Sequence, residues 1–251
     1  MLIYCNIFSN YPYIIVLISS VVLIMAGTTD VIAKKTSYDN KKIIVLDPGH
    51  GGRDKGAQGM NGIYEKTVSL KLAHIIEKEL EDQYNVFLTR TDDYQLDIPG
   101  RIDAANHLKA DLFISIHSGG SFLHKASGIY IYYYNKISGP TTISGNVTLK
   151  TIKNNNIRLQ WHNIQNRHKI KSHILSESVK SRINEHIGFA KCEVQSAPVL
   201  VLSGADMPAI FIETGYLSNP AEEKELNDTK VLFDFAKGIS KGIEDFFKTN
   251  N

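Results

Sequence analysis

Ile43-Ile44-Val45-Leu46-Asp47-Pro48-Gly49-His50 begins as an apolar run and ends in a turn that carries a histidine. Short runs rich in β-branched residues and bounded by turn residues predict buried strands. Two later runs have the same form: Leu-Phe-Ile-Ser-Ile leads into His117, and Ala-Ile-Phe-Ile leads into Glu213. Sites in open parallel sheets gather outside the carboxyl ends of the strands. We therefore expect His50, His117 and Glu213 to converge, although they are far apart in the chain.

Glu65 is a fourth candidate, in the segment that follows the first strand. Apolar residues after it recur with helical spacing, so Glu65 should lie near the start of a helix. Two imidazoles and one carboxylate, with the fourth position open to water, form the ligand set of a catalytic zinc ion. A second carboxylate is then needed to take a proton from water and pass it to the leaving amine, and Glu213 is placed for that role. The residues alone leave a second reading of Glu65 open, because a glutamate in a first helical turn favours the helix dipole without any metal.

Simpler alternatives exist for the neighbouring polar residues. His50 could be an ordinary loop histidine in a glycine turn. Arg101 could bind a substrate carboxylate or pair with Asp103 or Asp97, and we favour a structural role. Asp47 could orient a histidine ligand or only form the turn that follows it, and we favour the turn.

Several separated motifs stand in one order between about Lys42 and Phe247. They are Leu46-Asp47-Pro48-Gly49-His50-Gly51-Gly52, Gly62-Ile63-Tyr64-Glu65-Lys66, Leu88-Thr89-Arg90, Arg101, Ala105-Asn106, Ser115-Ile116-His117 and Glu213-Thr214-Gly215-Tyr216-Leu217-Ser218-Asn219. Together they resemble the motifs of the zinc-dependent N-acetylmuramoyl-L-alanine amidases of the type 3 family. The resemblance implies an α/β fold, with a twisted, mostly parallel sheet and helices on both faces in a single catalytic domain.

The resemblance also implies a reaction and a site. The reaction is cleavage of the amide bond between N-acetylmuramic acid and L-alanine of the peptidoglycan stem. One Zn²⁺ ion would be held by His50, Glu65 and His117, with Glu213 as the catalytic base and acid. After His117 the family often has a small residue and then Asn or Asp, whereas this chain has Ser118-Gly119-Gly120. Any contact that the Asn or Asp side chain makes in the family is therefore missing here.

Two other functions remain open on the sequence. One is another zinc-dependent amide hydrolase, such as a carboxypeptidase acting on the stem peptide. The other is a non-catalytic wall-binding relative, although such a protein has no need of Glu213. Expected partners are peptidoglycan and, in some relatives, an activator protein that uncovers the zinc.

Composition sets limits on the class of protein. The chain has 251 residues, 43% of them hydrophobic and 22% charged, with a net charge of +2. These values fit one catalytic domain, predicted at 43–249, and no nucleic-acid motif is present. Cys5 and Cys192 are the two cysteines, so a thiolate zinc site is excluded. Cys192 stands in a polar, loop-like stretch that does not favour a nucleophilic cysteine.

The N-terminal segment suggests export. Residues 11–26 form an uncharged run that is short for a membrane span. Small residues, where a signal peptidase could cut, follow this run. We predict a signal peptide or membrane anchor at 1–33 and a basic linker at 34–42, and we favour a cleaved leader. However, the lysines that follow the apolar run would, under the positive-inside rule, place the rest of the chain on the cytoplasmic side. The expected location is periplasmic or otherwise extracytoplasmic, secreted or anchored to the membrane through residues 11–26.

Residues 135–171 form a long polar insert in the predicted domain. The insert has seven basic residues and no Asp or Glu, so it cannot place a carboxylate on the zinc. It is either a binding surface for anionic wall polymers or a solvated mobile loop. The remaining predicted elements are strands at 43–46, 86–89, 111–116, 129–134 and 209–212, and helices after Glu65 and at 100–108, 172–186 and 230–247.

Overall fold

The computed structural model describes residues 41–122, 125–135 and 149–250, and for 149–163 it describes the backbone alone. The predicted leader at 1–33 and nearly all of the linker at 34–42 lie outside the described residues. The residues from Lys42 onward form one compact unit. None of the helices within the described ranges is long and apolar enough to span a membrane.

A six-stranded sheet forms the centre of the domain. Its strands are β1 (Ile43–Pro48), β2 (Asn85–Leu88), β3 (Leu112–Gly119), β4 (Ile129–Tyr134), β5 (Cys192–Ala197) and β6 (Ala209–Tyr216). The order across the sheet is β2-β1-β3-β6-β4-β5. All neighbouring pairs are parallel except β4 and β6, which are antiparallel. The expected twisted, mostly parallel α/β sheet is thus confirmed.

Five α-helices accompany the sheet in the described residues. They are α1 (Glu65–Leu80), α2 (Ile98–His107), α3 (Leu149–His186), α4 (Pro220–Asn227) and α5 (Thr229–Thr249), with a 3-10 turn at Leu200–Leu202. Polar caps set several of these boundaries. The side chains of Asp97, Asn219 and Asp228 each accept a hydrogen bond from a backbone amide of the first turn of α2, α4 and α5, and proline stands in the first turn of α2 and α4.

One face of the sheet is apolar over most of its length. Alternate residues such as Ile44, Ile114, Ile131 and Ile212 point to this face and are fully buried. They pack under the apolar stripes of α1, α3, α4 and α5 in the larger core cluster. At about 25 cal/mol per Å² of apolar surface removed from water, this burial is the main term that stabilises the domain.

The opposite face changes character along the strands. Near the amino ends of β1, β3 and β6, Val45, Phe113 and Ala209 pack against α2 and the 3-10 turn in a smaller cluster. Two residues further along each strand, the same face carries Asp47, Ser115 and Phe211. This face therefore carries two polar side chains and an aromatic ring at its far end, where α2 contributes the guanidinium of Arg101 to Asp47.

Three parts of the predicted secondary structure are wrong. The stretch around Cys192 is strand β5 at the edge of the sheet and not a loop, because Cys192 and Val194 alternate with Glu193 and Gln195 in the period of a strand. Helix α3 begins at Leu149 rather than at 172, so much of the predicted insert at 135–171 is helical; a polar stretch free of Gly and Pro can continue a helix that is packed at one end. Helix α4 was not predicted, although Asn219-Pro220 is a typical helix start.

Candidate metal centre and active site

His50, Glu65 and His117 meet in the structure as the sequence predicted. His50 Nε2 lies 3.0 Å from Glu65 Oε2, and His117 Nδ1 lies 2.8 Å from Glu65 Oε1. One ligand atom from each residue falls within 4.8 Å of the others. The described residues hold no other group of three or more His, Cys, Asp or Glu side chains with such spacing.

Two of the expected strand ends are positions inside strands. His117 and Glu213 lie within β3 and β6 and face each other in register. They are near neighbours on the sheet face and not loop residues beyond it. A register shift follows between His117 and Gly119; it frees the backbone amide of Ser118 from the ladder, and that amide donates to Glu65 Oε1 at 3.1 Å.

The loop that carries His50 is held by two buried guanidinium groups. Arg90, which is fully buried, donates to the carbonyl oxygens of Pro48 and Gly49 at 2.9 and 2.7 Å. Arg101 donates to the carbonyl oxygens of Pro48 and His50, both at 2.8 Å. His50 has a φ of 58°, a conformation that is uncommon for a residue with a side chain. The predicted structural role of Arg101 is therefore confirmed.

Asp47 joins four elements beneath the site. Its carboxylate accepts hydrogen bonds from Thr89 at 2.6 Å, Ser115 at 2.7 Å and Arg101 at 2.8 Å. The side chain is fully buried. The sequence analysis favoured only a turn for Asp47 and therefore missed this role. It also named Asp97 or Asp103 as the partner of Arg101, whereas the partner is Asp47.

Glu65 is fixed by its own loop as well as by the histidines. Its backbone amide donates to the Ala57 carbonyl at 2.9 Å, and the Ala57 amide donates to Glu65 Oε2 at 2.8 Å. Burial alone would raise the pKa of Glu65, but the hydrogen bonds and charges of His117 and His50 lower it to about 2. Glu65 is thus a carboxylate at neutral pH, as a metal ligand requires.

Glycines leave the space that these side chains occupy. A Cβ atom at Gly49 would lie 2.3 Å from His117 Cε1 and 2.5 Å from Nε2. At Gly56, which has a φ of +66°, it would lie 2.4 Å from Glu65 Oε2 and 2.6 Å from His50 Cδ2. Neither position tolerates a side chain without movement of a candidate ligand.

Glu213 has the environment of a proton-transfer group. Burial, followed by the negative charge of Glu65, raises the pKa of Glu213 to about 8. Its Oε1 atom is buried and has no hydrogen-bond partner in the described structure. A buried carboxyl oxygen is costly to leave unpaired, so this atom is available to a ligand, a water molecule or a substrate.

The donor set fits a zinc ion. Two imidazoles and a carboxylate are the ligands of catalytic zinc sites, and the neighbouring Glu213 Oε1 is unpartnered. Asp54 Oδ1 lies 2.9 Å from His50 Nδ1, so a carboxylate stands at ion-pair distance on the side of the ring away from Glu65, without the geometry of a hydrogen bond. Such a carboxylate fixes the orientation of a histidine ligand. The sequence reasoning missed Asp54, although it lies four residues after His50 in the same loop.

A cleft and an aromatic ring adjoin the two histidines. The cleft, of about 380 Å³, is lined by both histidines, by Arg101 and by Leu200 and Phe211 among others. The Phe211 ring stacks on His117 with centroids 4.4 Å apart. The sequence analysis missed Phe211 as well. Phe211 precedes Glu213 by two residues in β6, and residues two apart in a strand lie on the same face.

Comparisons with known proteins agree on one family. Residues 44–245 match the profile of Amidase_3, described as N-acetylmuramoyl-L-alanine amidase. The amidase AmiC of Neisseria meningitidis is 31% identical over 228 residues, which are 84% of this chain and 54% of that protein. The chain spans about half the length of the curated AmiC proteins it matches.

Solved structures show the same fold. The catalytic domain of the amidase CwlV from Bacillus (Paenibacillus) polymyxa is 28% identical, with a TM-score of 0.67 over 82% of this chain and 98% of that chain. The CwlD amidase of Clostridioides difficile, solved in complex with the GerS lipoprotein, is 22% identical, with a TM-score of 0.65 over 83% of this chain and 100% of that chain. At that identity the second likeness concerns the fold alone.

Proposed function

The chain belongs to the N-acetylmuramoyl-L-alanine amidase family Amidase_3, and on that premise we propose that it hydrolyses the amide bond between N-acetylmuramic acid and L-alanine in peptidoglycan. The observation that carries the proposal is the convergence of His50, Glu65 and His117 beside the buried, unpartnered oxygen of Glu213. Because peptidoglycan lies outside the cytoplasm, the proposed location is extracytoplasmic.

In this proposal His50, Glu65 and His117 hold one zinc ion. Zinc bound in such a set makes a water molecule more acidic and polarises a carbonyl oxygen. The protein supplies the geometry: Arg90 and Arg101 fix the backbone that carries His50, and the Ala57 and Ser118 amides fix Glu65. The ligands are thus oriented before the metal binds, which lowers the cost of binding it.

Glu213 takes the proton of the attacking water and delivers it to the leaving nitrogen of L-alanine. A carboxyl group whose pKa lies near the working pH can both accept and release a proton. Burial holds the pKa of Glu213 at about 8 in the metal-free protein. A cation held by His50, Glu65 and His117 would favour the ionised form of Glu213, in which this carboxylate accepts a proton at neutral pH.

The test is a digestion of purified peptidoglycan followed by mass spectrometry of the soluble products. Zinc-loaded wild type should release stem peptides with an L-alanine amino terminus. Chelation, His117→Ala and Glu213→Gln should each abolish the release. His168→Ala and Glu185→Gln are matched controls, because these residues lie outside the site and pair on the surface with Asp206 and Arg182; both should leave the products unchanged.

A different set of products would assign a different function to the protein. Release of D-alanine alone would identify a stem carboxypeptidase, the main alternative on the same zinc chemistry. Binding of the wall without any product, with zinc shown to be bound, would indicate either a wall-binding protein or an enzyme that needs an activator. Addition of candidate activator proteins separates those two, since only the enzyme would then release product.

A further inference from the structure

The face of the sheet beside Glu213 carries a continuous row of aromatic rings. Phe211, Tyr132, Tyr130 and Tyr216 follow one another across β6 and β4, with ring centroids 6.1, 6.2 and 6.4 Å apart. We name these four residues the aromatic shelf. All four residues are partly exposed, so each can present some of its surface to a ligand.

The aromatic shelf borders the Glu213 carboxyl group on the sheet. Tyr130 is the register partner of Glu213, and Tyr132 is the partner of Phe211. At the other side of the row, Phe211 stacks on His117. Any group bound on the shelf therefore lies next to the atoms that would be hydrolysed.

The chemistry of the shelf favours an uncharged, hydroxyl-bearing ligand over an acidic one. Glu193 and Gln195 on β5 pair in register with Tyr130 and Tyr132 and point to the same face, and both are exposed. Their side chains accept hydrogen bonds from hydroxyl groups, and the carboxylate of Glu193 repels other carboxylates. Flat aromatic faces flanked by a few polar groups suit the C–H faces and hydroxyls of sugar rings.

We propose that the aromatic shelf is the binding site for the glycan strand, a β-1,4-linked chain of N-acetylhexosamines, with Tyr132 as its central contact. The inference rests on the proposed function in one respect: in the proposed substrate, the carbonyl side of the cleaved amide is joined to a sugar ring through a short lactyl ether. That sugar must lie within a few bonds of Glu213, and the shelf is the uncharged surface that begins there. The stem peptide, which carries carboxylates, is directed to the other side of the site.

The first measurement is binding of chitotetraose, a peptide-free tetramer of N-acetylglucosamine, to the zinc-loaded full chain by titration calorimetry. Tyr132→Ala should weaken binding about tenfold or more, as the loss of a central aromatic contact does at other interfaces. Tyr132→Phe keeps the ring and should bind within about twofold of wild type. Tyr133→Ala is the matched control, because Tyr133 is the next residue on the same strand, faces the other way and packs on His173; it should also leave binding unchanged.

The second measurement compares two substrates that share the cleaved amide. Muramyl dipeptide carries the sugar, and D-lactoyl-L-alanyl-D-isoglutamine lacks it. Tyr132→Ala should lower kcat/KM for the first and leave the second unchanged. An equal loss on both substrates would mean that Tyr132 only supports Glu213, and the shelf would not be a glycan site.

Failure of this inference is separable from failure of the proposed function. Absence of chitotetraose binding to wild type, or binding that Tyr132→Ala does not weaken, overturns the inference whatever the enzymatic result. If the zinc-loaded chain hydrolyses neither dipeptide nor peptidoglycan, with or without candidate activator proteins, while its binding of the tetramer depends on Tyr132, the amidase is overturned and the glycan site stands.

Discussion

Substitution of Gly49 by alanine should disable the metal centre while the rest of the domain stays folded. An alanine Cβ at this position would stand 2.3 to 2.6 Å from three atoms of the His117 ring. Ordinary contacts at a Cβ atom lie between 3.4 and 4 Å, so the ring has to retreat by roughly 1 Å, the difference between 3.4 and 2.3 Å. Gly49 itself does not have a positive φ, so the backbone accepts alanine and the strain falls on His117.

A shift of that size is large for a metal site. Site geometry has to be held within about 0.5 Å, and a misplacement of about 1 Å can cost roughly 100-fold in rate. We expect Gly49→Ala to weaken zinc affinity by about 10- to 100-fold, the range found when a group that orients a ligand is lost. Hydrolysis should fall by about 100-fold even at saturating zinc.

Competition with a chromogenic chelator measures the zinc affinity, and peptide release from peptidoglycan measures the rate. Gly188→Ala is the matched control, since a Cβ there meets no atom within 4 Å, and it should retain wild-type affinity and rate. Circular dichroism must show that Gly49→Ala is folded. A folded Gly49→Ala protein that binds zinc as tightly as wild type would refute the reasoning, because it would mean that His117 can move without harm or is not a ligand.

Three further outcomes follow from the buried groups. Asp47→Ala should lower the free energy of unfolding by about 3 kcal/mol or more, measured in urea, because it leaves the Arg101 charge buried without its partner; Lys78→Ala, which breaks an exposed pair, should leave the midpoint unchanged. In the EDTA-treated protein the folded-state pKa of Glu213 is raised from 4.5 to about 8, so the stability that its protonated form contributes is complete below about pH 4.5 and is lost as the pH rises through about 8. The Tm of metal-free wild type should therefore fall over that window relative to Glu213→Gln, and parallel Tm curves would contradict the raised pKa. Burial raises the pKa of the Cys192 thiol to about 12, so peptide mapping should find Cys192 unalkylated by iodoacetamide at about pH 8 until the chain is unfolded.

Local chemistry marks the two candidate histidine ligands, His50 and His117, whereas Glu65 was assigned through the family resemblance, because a glutamate in a first helical turn needs no metal. A histidine after a buried apolar run needs a partner or a metal, and this reasoning holds for His117 without any knowledge of the fold. The strands β1, β3 and β6 were predicted for the same reason, since runs of β-branched residues between turns have few other interpretations. The ends were less accurate: β3 and β6 continue through Gly119 and Tyr216, so the two residues expected just beyond strands are inside them.

What the sequence could not supply is the pairing across the sheet. The role of Asp47 depends on Ser115 of β3, Arg101 of α2 and Thr89, which follows β2, and no local pattern specifies that they meet. The aromatic shelf likewise exists only because β4 pairs with β6 in the register that puts Tyr130 beside Glu213. Long-range register is set by the whole packed sheet, whereas local spacing sets only which residues share a face.

The position of the site follows from a change of polarity along one face of the sheet. In β3 the residues Phe113, Ser115 and His117 alternate with apolar residues that face the helices, and they go from a buried ring to a hydroxyl to a candidate ligand. Ser115 is the intermediate step: it donates to Asp47 at 2.7 Å, which lets a charged group stand between the apolar cluster and the metal centre. An apolar residue in place of Ser115 would leave one oxygen of the buried Asp47 carboxylate without its donor, and burial of an unpaired charged oxygen is costly. The polarity of this face therefore increases along the strands, and the buried charge of Asp47 is stabilised by hydrogen bonds from Ser115 in the neighbouring strand and Arg101 in α2.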